Sequence, residues 1–469
     1  MKKSGNILPS IEVSGYAAEG KSLAKIEGKV LFIENAVPGD VVDVRITRNK
    51  KDWAEGRAIS FIRYSPDRVT PFCPHFGTCG GCKWQMLPYE KQLEYKQKEA
   101  EEAFRRIGKL TQIPLLPILG SEKTRQYRNK LEFTASTRRF LTESQITELN
   151  DGPWPGGALG YHAPRLFDKV IDIRECHLMD GVNDLIRNSA REYCSLHGCS
   201  YYDIRAHTGW LRNIIVRSCT TGEIMVNMVF GQEDPEHTEG ILADLLNKVP
   251  SITTLLYTIN PKWNDSIYDL EPRVYFGEGY VMEQLGEFRF KISPKSFFQT
   301  NTLQARRLYE VVREFAGLTG TETLYDLYCG TGSIGIYLSR LAARVIGVET
   351  IEEAVRDARE NARINHIDHA FFFPGDVIDV CNDSFFQTHG HPDVVVVDPP
   401  RAGLHAKLVS KLIEIAPEKL VYVSCNVATQ ARDLQLLSEV FQIEKLRPVD
   451  MFPHTHHLEC VALLKRKAH

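Results

Sequence analysis

From residue 324 to the C-terminus, short apolar runs alternate with helix-forming stretches, and no other feature of the sequence restricts the fold so tightly. The runs are LYDLY, ARVIGVE, AFFFPGD, DVVVVDPP and KLVYVSC. Strands alternating with helices read as βαβ units, whose crossovers make neighbouring strands parallel. The four consecutive valines before Asp398 fit a strand buried on both faces. A doubly wound sheet of this kind binds ligands at the carboxyl ends of its strands. In this sequence the chemically informative residues stand at those ends.

DLYCGTGSIG sets Gly330, Gly332 and Gly335 in a G-x-G-x-x-G register between a strand and a helix, and Glu349 closes the next strand. Such glycines let a cofactor approach the backbone, and an acid at that position is placed to hydrogen-bond ribose hydroxyls. The pattern serves nicotinamide and S-adenosylmethionine sites alike. DPPRAG, Asp398 to Gly403, follows the valine strand; its two prolines remove backbone donors and stiffen the loop. Cys425 ends the strand after that.

A chain of 469 residues divides into several cores. Residues 7–63 read as short alternating strands broken by glycine, a pattern that suits a small, OB-like β-barrel. There Arg45, Arg48, Lys50 and Lys51 cluster beside Trp53, which reads either as a phosphate-tracking hairpin or as a solvated tip. YEKQLEYKQKEAEEAFRRIG, Tyr89 to Gly108, predicts a long surface helix stopped by glycine. Residues 121–140 are the most cationic window of the first half, and apolar alternation from there to about 285 predicts an antiparallel, strand-rich α+β domain. The expected division is 1–64, 65–285 and 286–469, with the helix at 89–108 packing on the third unit.

No apolar run approaches the ~18–20 residues that span a bilayer, and no apolar stretch follows the lysines of MKKSGN. The expectation is a cytoplasmic protein in a reducing compartment. In such a compartment Cys73, Cys79 and Cys82, spaced C-x5-C-x2-C, favour metal over disulfide. Three thiolates leave a tetrahedral site open, and on the residues alone zinc and iron-sulfur both remain. The net charge of -3 carries no global signature of nucleic-acid binding, so any such role rests on local patches.

FFQTN (Phe297 to Asn301), DLYCGTG, DPPRAG, SCN, ARDL and MFPHTHHLE occur in an order that resembles the RNA uracil-5-methyltransferases. The N-terminal barrel resembles the TRAM RNA-binding domain, and the cysteine pattern resembles the iron-sulfur site of the 23S ribosomal RNA branch. The resemblance covers nearly the whole chain. It implies a C-terminal Rossmann-like methyltransferase domain that uses S-adenosylmethionine to methylate carbon 5 of a uridine in RNA. It favours 23S ribosomal RNA over the T-loop uridine of transfer RNA, and a monomer.

The resemblance also implies residue roles. Cys176 in RECHL becomes the fourth ligand of a [4Fe-4S] cluster with Cys73, Cys79 and Cys82. Cys425 becomes the nucleophile and Glu459 the general base. Gln299, Tyr328, Glu349, Asp376 and Asp398 become donor contacts, and Arg401, Arg125, Arg128 and Lys130 become phosphate contacts. His454, His456 and His457 are expected to tune Glu459 or meet phosphate rather than bind metal. Without the flanking motifs, Cys425 reads as a packing residue and Glu459 as a surface carboxylate. Two departures stand out: Val427 follows Asn426 where the family has proline, and Ser333 replaces a larger polar residue of some relatives. A catalytically inactive RNA-binding module, the rival of a different class, predicts loss of Cys425 or Glu459, and both are present.

Overall fold

The computed structural model describes residues 6–150 and 152–468. Residues Ile7–Arg63 form a six-stranded sheet in the order Ile7–Glu12, Val41–Asn49, Trp53–Arg63, Lys29–Glu34, Ser22–Ile26, Gly15–Tyr16. Val13, Leu31, Ile33, Val42 and Val44 fill its small core. The basic hairpin is the exposed end of the Val41–Asn49 and Trp53–Arg63 pair, where the Arg48 guanidinium lies 5.0 Å from the centre of the Trp53 ring.

A second, seven-stranded sheet runs Arg273–Phe276, Thr254–Ile259, Ile224–Phe230, Leu211–Ser218, Lys130–Ser136, Ala158–His162, Val170–Asp172. It departs from the antiparallel expectation at one place: Ile224–Phe230 and Thr254–Ile259 pair in parallel. The helix Pro235–Lys248 lies between them in sequence, and a parallel pair needs such a crossover. The hairpin Val281–Leu285 and Phe288–Ile292 packs its Val281, Phe288, Phe290 and Ile292 into the core of the third sheet. The expected boundary between 285 and 286 falls inside this hairpin.

The third sheet has the order Ala370–Pro374, Arg344–Glu349, Thr323–Leu327, Val394–Val397, Lys419–Ser424, Glu459–Arg466, Phe441–Val449. Neighbours from Ala370–Pro374 to Lys419–Ser424 are parallel, and Glu459–Arg466 inserts antiparallel to both of its neighbours. All four valines of Val394–Val397 are buried, as a strand covered by helices on both faces requires. The order reverses between Thr323–Leu327 and Val394–Val397, so the ligand crevice opens there.

The helix Tyr89–Arg106 is not the surface helix that its Lys, Glu and Gln content predicts. Its Gln92, Tyr95, Lys96, Ala100 and Phe104 are buried, with Ala100 and Phe104 in the core shared by the strands of the third sheet and the helix Val427–Leu437. No helix among the described residues is long and apolar enough to cross a membrane.

Candidate active site

The glycine turn is built by its backbone. Tyr328, Gly330 and Gly332 all have positive φ, at 63°, 53° and 77°, and a Cβ at Gly332 would press within 2.9 Å of the Phe372 ring. The Gly330 N–H donates to the Glu349 carboxylate at 3.1 Å, and the Gly335 N–H donates to Asp326 at 2.7 Å. Asp326 is fully buried on the first parallel strand, and burial, opposed by the Gly335 hydrogen bond and assisted by Asp398 and Glu349, pushes its carboxyl up to about 7. The sequence reading missed this residue; its one signal is an acid inside the apolar run LYDLY.

Four of the five expected donor contacts border this crevice. Tyr328 follows the first strand, Glu349 ends the second, and Asp398 follows Val394–Val397. Gln299 belongs to the loop that meets the glycine turn where Thr331 Oγ1 donates to the Phe297 carbonyl at 3.5 Å. Asn129 of the central sheet fixes this loop by donating from Nδ2 to the Gln299 carbonyl at 2.9 Å. Asp376, exposed beyond the third strand, accepts from the Ile378 N–H at 2.9 Å and caps a short helix.

Cys425 and Glu459 come together through strand register. Ser424 pairs with Cys460 across Lys419–Ser424 and Glu459–Arg466, so the next residues in that register are Cys425 and Glu459. Cys425 is half-buried, and burial first, then Glu459 and Asp398, raise its thiol to about 11 against the pull of Arg401. Glu459 is 6% exposed; burial and Asp398 raise its carboxyl to about 8, again against Arg401. Burial raises Asp398 to about 7. The crevice gathers Asp326, Asp398 and Glu459 with Arg401 as the cation felt by the reactive pair, an imbalance that a positively charged ligand relieves.

The loop before Glu459 is held from outside the sheet. The Lys96 ammonium and Asp450, both with fully buried side chains, pair at 2.6 Å, and Tyr89 donates to the other Asp450 oxygen at 2.9 Å. Gln92 accepts from the His454 N–H at 2.8 Å and lies 3.1 Å from its Nδ1. The N–H groups of Lys83 and Trp84 both donate to the His454 carbonyl. His454 is therefore a structural pin with φ 64°. The charges that bear on Glu459 are Asp398 and Arg401, not the histidines; His457 instead lies 3.2 Å from Arg401. None of the lysine, glutamine or Asp450 partners was marked by the sequence.

Of the expected phosphate contacts, Arg401 and Arg125 are exposed. Arg128 and Lys130 are half-buried, with the Arg128 guanidinium 5.1 Å from the Phe452 ring and the Lys130 ammonium lowered by burial and by Arg217. Strand Lys130–Ser136 begins there.

Cys73, Cys79, Cys82 and Cys176 line one cavity of about 190 Å³, shared with Tyr161 and Arg128. Burial raises the thiols of Cys79 and Cys82 to about 11 and about 12. The Gly81 N–H points at the Cys79 sulfur, 3.4 Å away, and the Tyr161 hydroxyl lies 3.6 Å from that of Cys176. Among the described residues no three or more histidine, cysteine or acidic side chains are grouped so as to hold a metal ion. The four thiols surround a space instead of converging on a point.

Comparison with known proteins places this arrangement. The tRNA (uracil-5-)-methyltransferase family model matches residues 269–373 and 385–467, and the TRAM domain model matches residues 10–59. The chain is 49% identical to an uncharacterized RNA methyltransferase of Bacteroides thetaiotaomicron, over 96% of this chain and 99% of that protein. A similarly named protein of Porphyromonas gingivalis is 47% identical over 97% and 99%. The crystal structure of Pyrococcus abyssi tRNA (uracil-54, C5)-methyltransferase with S-adenosyl-L-homocysteine superposes with a TM-score of 0.75 at 29% identity, covering 97% of this chain and all of that one.

Proposed function

The chain belongs to the S-adenosylmethionine-dependent RNA (uracil-5-)-methyltransferases with a TRAM domain, and from that premise we propose that Cys425 and Glu459 carry out a covalent methylation of uridine. Carbon 5 of uracil is a weak nucleophile, and adding a thiolate splits one hard step into easier ones. The Cys425 thiolate bonds to carbon 6, the ring becomes an enolate, and carbon 5 takes the methyl group from the donor sulfonium, whose S–CH3 bond breaks to leave the neutral thioether S-adenosylhomocysteine. Glu459 then removes the carbon 5 proton; the electron pair restores the ring double bond and expels the Cys425 thiolate. The observation that carries this reading is the register that sets Cys425 beside Glu459, whose charge helps to raise the Cys425 thiol.

S-adenosylmethionine, when bound, supplies an electrophilic methyl group on a cationic sulfonium. Gln299, Tyr328, Glu349 and Asp398 would hold it from within the crevice, with Asp376 reaching it from beyond the third strand, and the carboxyl-rich crevice with its glycine turn fits such a cation. The target uridine must leave its stack to reach Cys425.

Cys73, Cys79, Cys82 and Cys176 hold a [4Fe-4S] cluster in our reading. A thiol-lined cavity wider than a single-ion site, with an N–H aimed at one sulfur, fits a multi-atom group better than zinc. Such a cluster supplies a clamp between the segment 73–82 and Cys176.

The substrate we favour is 23S ribosomal RNA, because the TRAM barrel and the four cysteines together resemble that branch. Transfer RNA is the second reading, favoured by the likeness to the Pyrococcus abyssi enzyme. Tritiated donor incubated separately with deproteinised 23S ribosomal RNA and with transfer RNA, with Cys425→Ala as control, tests both. Label at uridine carbon 5 in ribosomal RNA, absent with Cys425→Ala, is the expected result; label in transfer RNA alone replaces the substrate, and label surviving Cys425→Ala overturns the mechanism.

A further inference from the structure

The segment between the central sheet's Thr254–Ile259 and Arg273–Phe276 presents two of the most exposed aromatic rings in the molecule, Trp263 at 74% and Tyr268 at 70%. A loop carrying such rings loosely would need no special support. This one is held by a buried cation. Arg212, 1% exposed, donates to the carbonyls of Asn260 at 2.7 Å, Lys262 at 2.6 Å and Asn264 at 3.0 Å, and to the Asp265 carboxylate at 2.8 Å. The buried Asn260 side chain adds bonds to Asn264 and Lys262. Ile267 plugs the loop onto Ile215 and Val229 of the sheet.

The turn so fixed holds the Trp263 indole against the His207 ring, with centroids 4.6 Å apart and planes 10° from parallel. One face of the indole is stacked, and the residue remains largely in solvent. The loop's carboxylates are neutralised: Asp265 by Arg212, Asp269 by Lys262, and Glu271 by Lys295 at 3.8 Å. Lys295 also donates to the Leu270 carbonyl at 3.2 Å, which ties the loop to the segment carrying Phe297, 68% exposed, and the donor contact Gln299. The Leu270 end of the loop thus joins the segment that borders the crevice, while Trp263 stands at the Arg212 end of the strand Leu211–Ser218.

We propose that residues 260–271 form a rigid stacking platform for unpaired bases of the RNA substrate that flank the methylated uridine at a distance, with Trp263 as its principal surface. The inference rests on the RNA-methylation reading for its ligand and centres on Trp263, which lies before the family match that begins at residue 269. A preformed aromatic face is what sequence-tolerant recognition of single-stranded RNA uses, since every base offers a π-face. Exposed Asn264 and Ser266 flank Trp263 and set polar side chains beside a base stacked on the indole.

Binding of a short fluorescent oligoadenylate by the full-length protein tests the platform without reference to catalysis. Trp263→Ala is expected to weaken it about tenfold, a typical loss for one stacked base, with the dependence on salt unchanged and with Trp263→Phe restoring most of the affinity. In methylation assays with whichever of 23S ribosomal RNA or transfer RNA the wild type labels, Trp263→Ala is expected to raise half-saturating RNA about as much while leaving the maximal rate unchanged. Equal affinity of wild type and Trp263→Ala for both probes overturns the platform, and the ring is then left to a protein partner. Failure of the wild type to label any RNA, with oligoadenylate binding still dependent on Trp263, overturns the methylation reading and leaves the platform standing.

Discussion

Glu459 is a carboxyl whose surroundings decide when it can work. Burial and Asp398 hold its proton up to about pH 8, so only above that value is it mostly ionised and able to accept the carbon 5 proton. If release of product follows Glu459, its rate rises with pH, levels off above about 8, and loses this dependence in Glu459→Gln; single-turnover release measured from pH 6 to 9 checks the sign. The same variant should still accept the methyl group and then stall. Release slowed by about 10²–10⁴-fold, the range of a positioned general base, would appear as a denaturant-stable protein–RNA adduct. Cys425 and Glu459 were marked in the sequence by the ordered motifs around them. Asp326 was not, because one acid in an apolar strand carries no periodicity of its own.

At the scale of elements, the helix Tyr89–Arg106 governs the loop that ends at Glu459. Lys96 and Asp450 are both wholly buried, and removing one partner leaves the other charge uncompensated. Lys96→Met should therefore destabilise the protein by about 3–5 kcal/mol, whereas the double variant Lys96→Met, Asp450→Leu should recover much of that loss; urea unfolding of the three proteins measures it. Gln92→Leu removes the grip on His454 without leaving a buried charge. It should lower kcat while leaving donor affinity, measured by equilibrium dialysis, near the wild-type value. The helix itself was legible from its composition and glycine stop. The burial of Lys96 was not, since a lysine whose partner lies in a distant loop looks like any solvated lysine.

At the scale of the molecule, three units meet in one place. Trp84, between the cysteine segment and the helix, packs with Val37 of the barrel and with Tyr95, while the Trp84 and Lys83 N–H groups hold the loop before Glu459. A clamp at Cys73, Cys79, Cys82 and Cys176 would stiffen this junction. Cys176→Ser should then abolish visible iron-sulfur absorbance in protein purified without oxygen and lower the thermal midpoint. The barrel, the doubly wound sheet and the glycine turn follow from local periodicity, which is why they could be read residue by residue. The junction arises from contacts between segments remote in sequence, and no local pattern encodes it.

The central claim is that Cys425 becomes bonded to the uridine that is methylated. Glu459→Gln incubated with donor and the accepted RNA, then denatured, digested and examined by mass spectrometry, tests it most directly. The account predicts a peptide joined through Cys425 to a nucleotide heavier than uridine monophosphate by the added methyl group. An adduct on another residue, or normal methylation by Cys425→Ala, would contradict it.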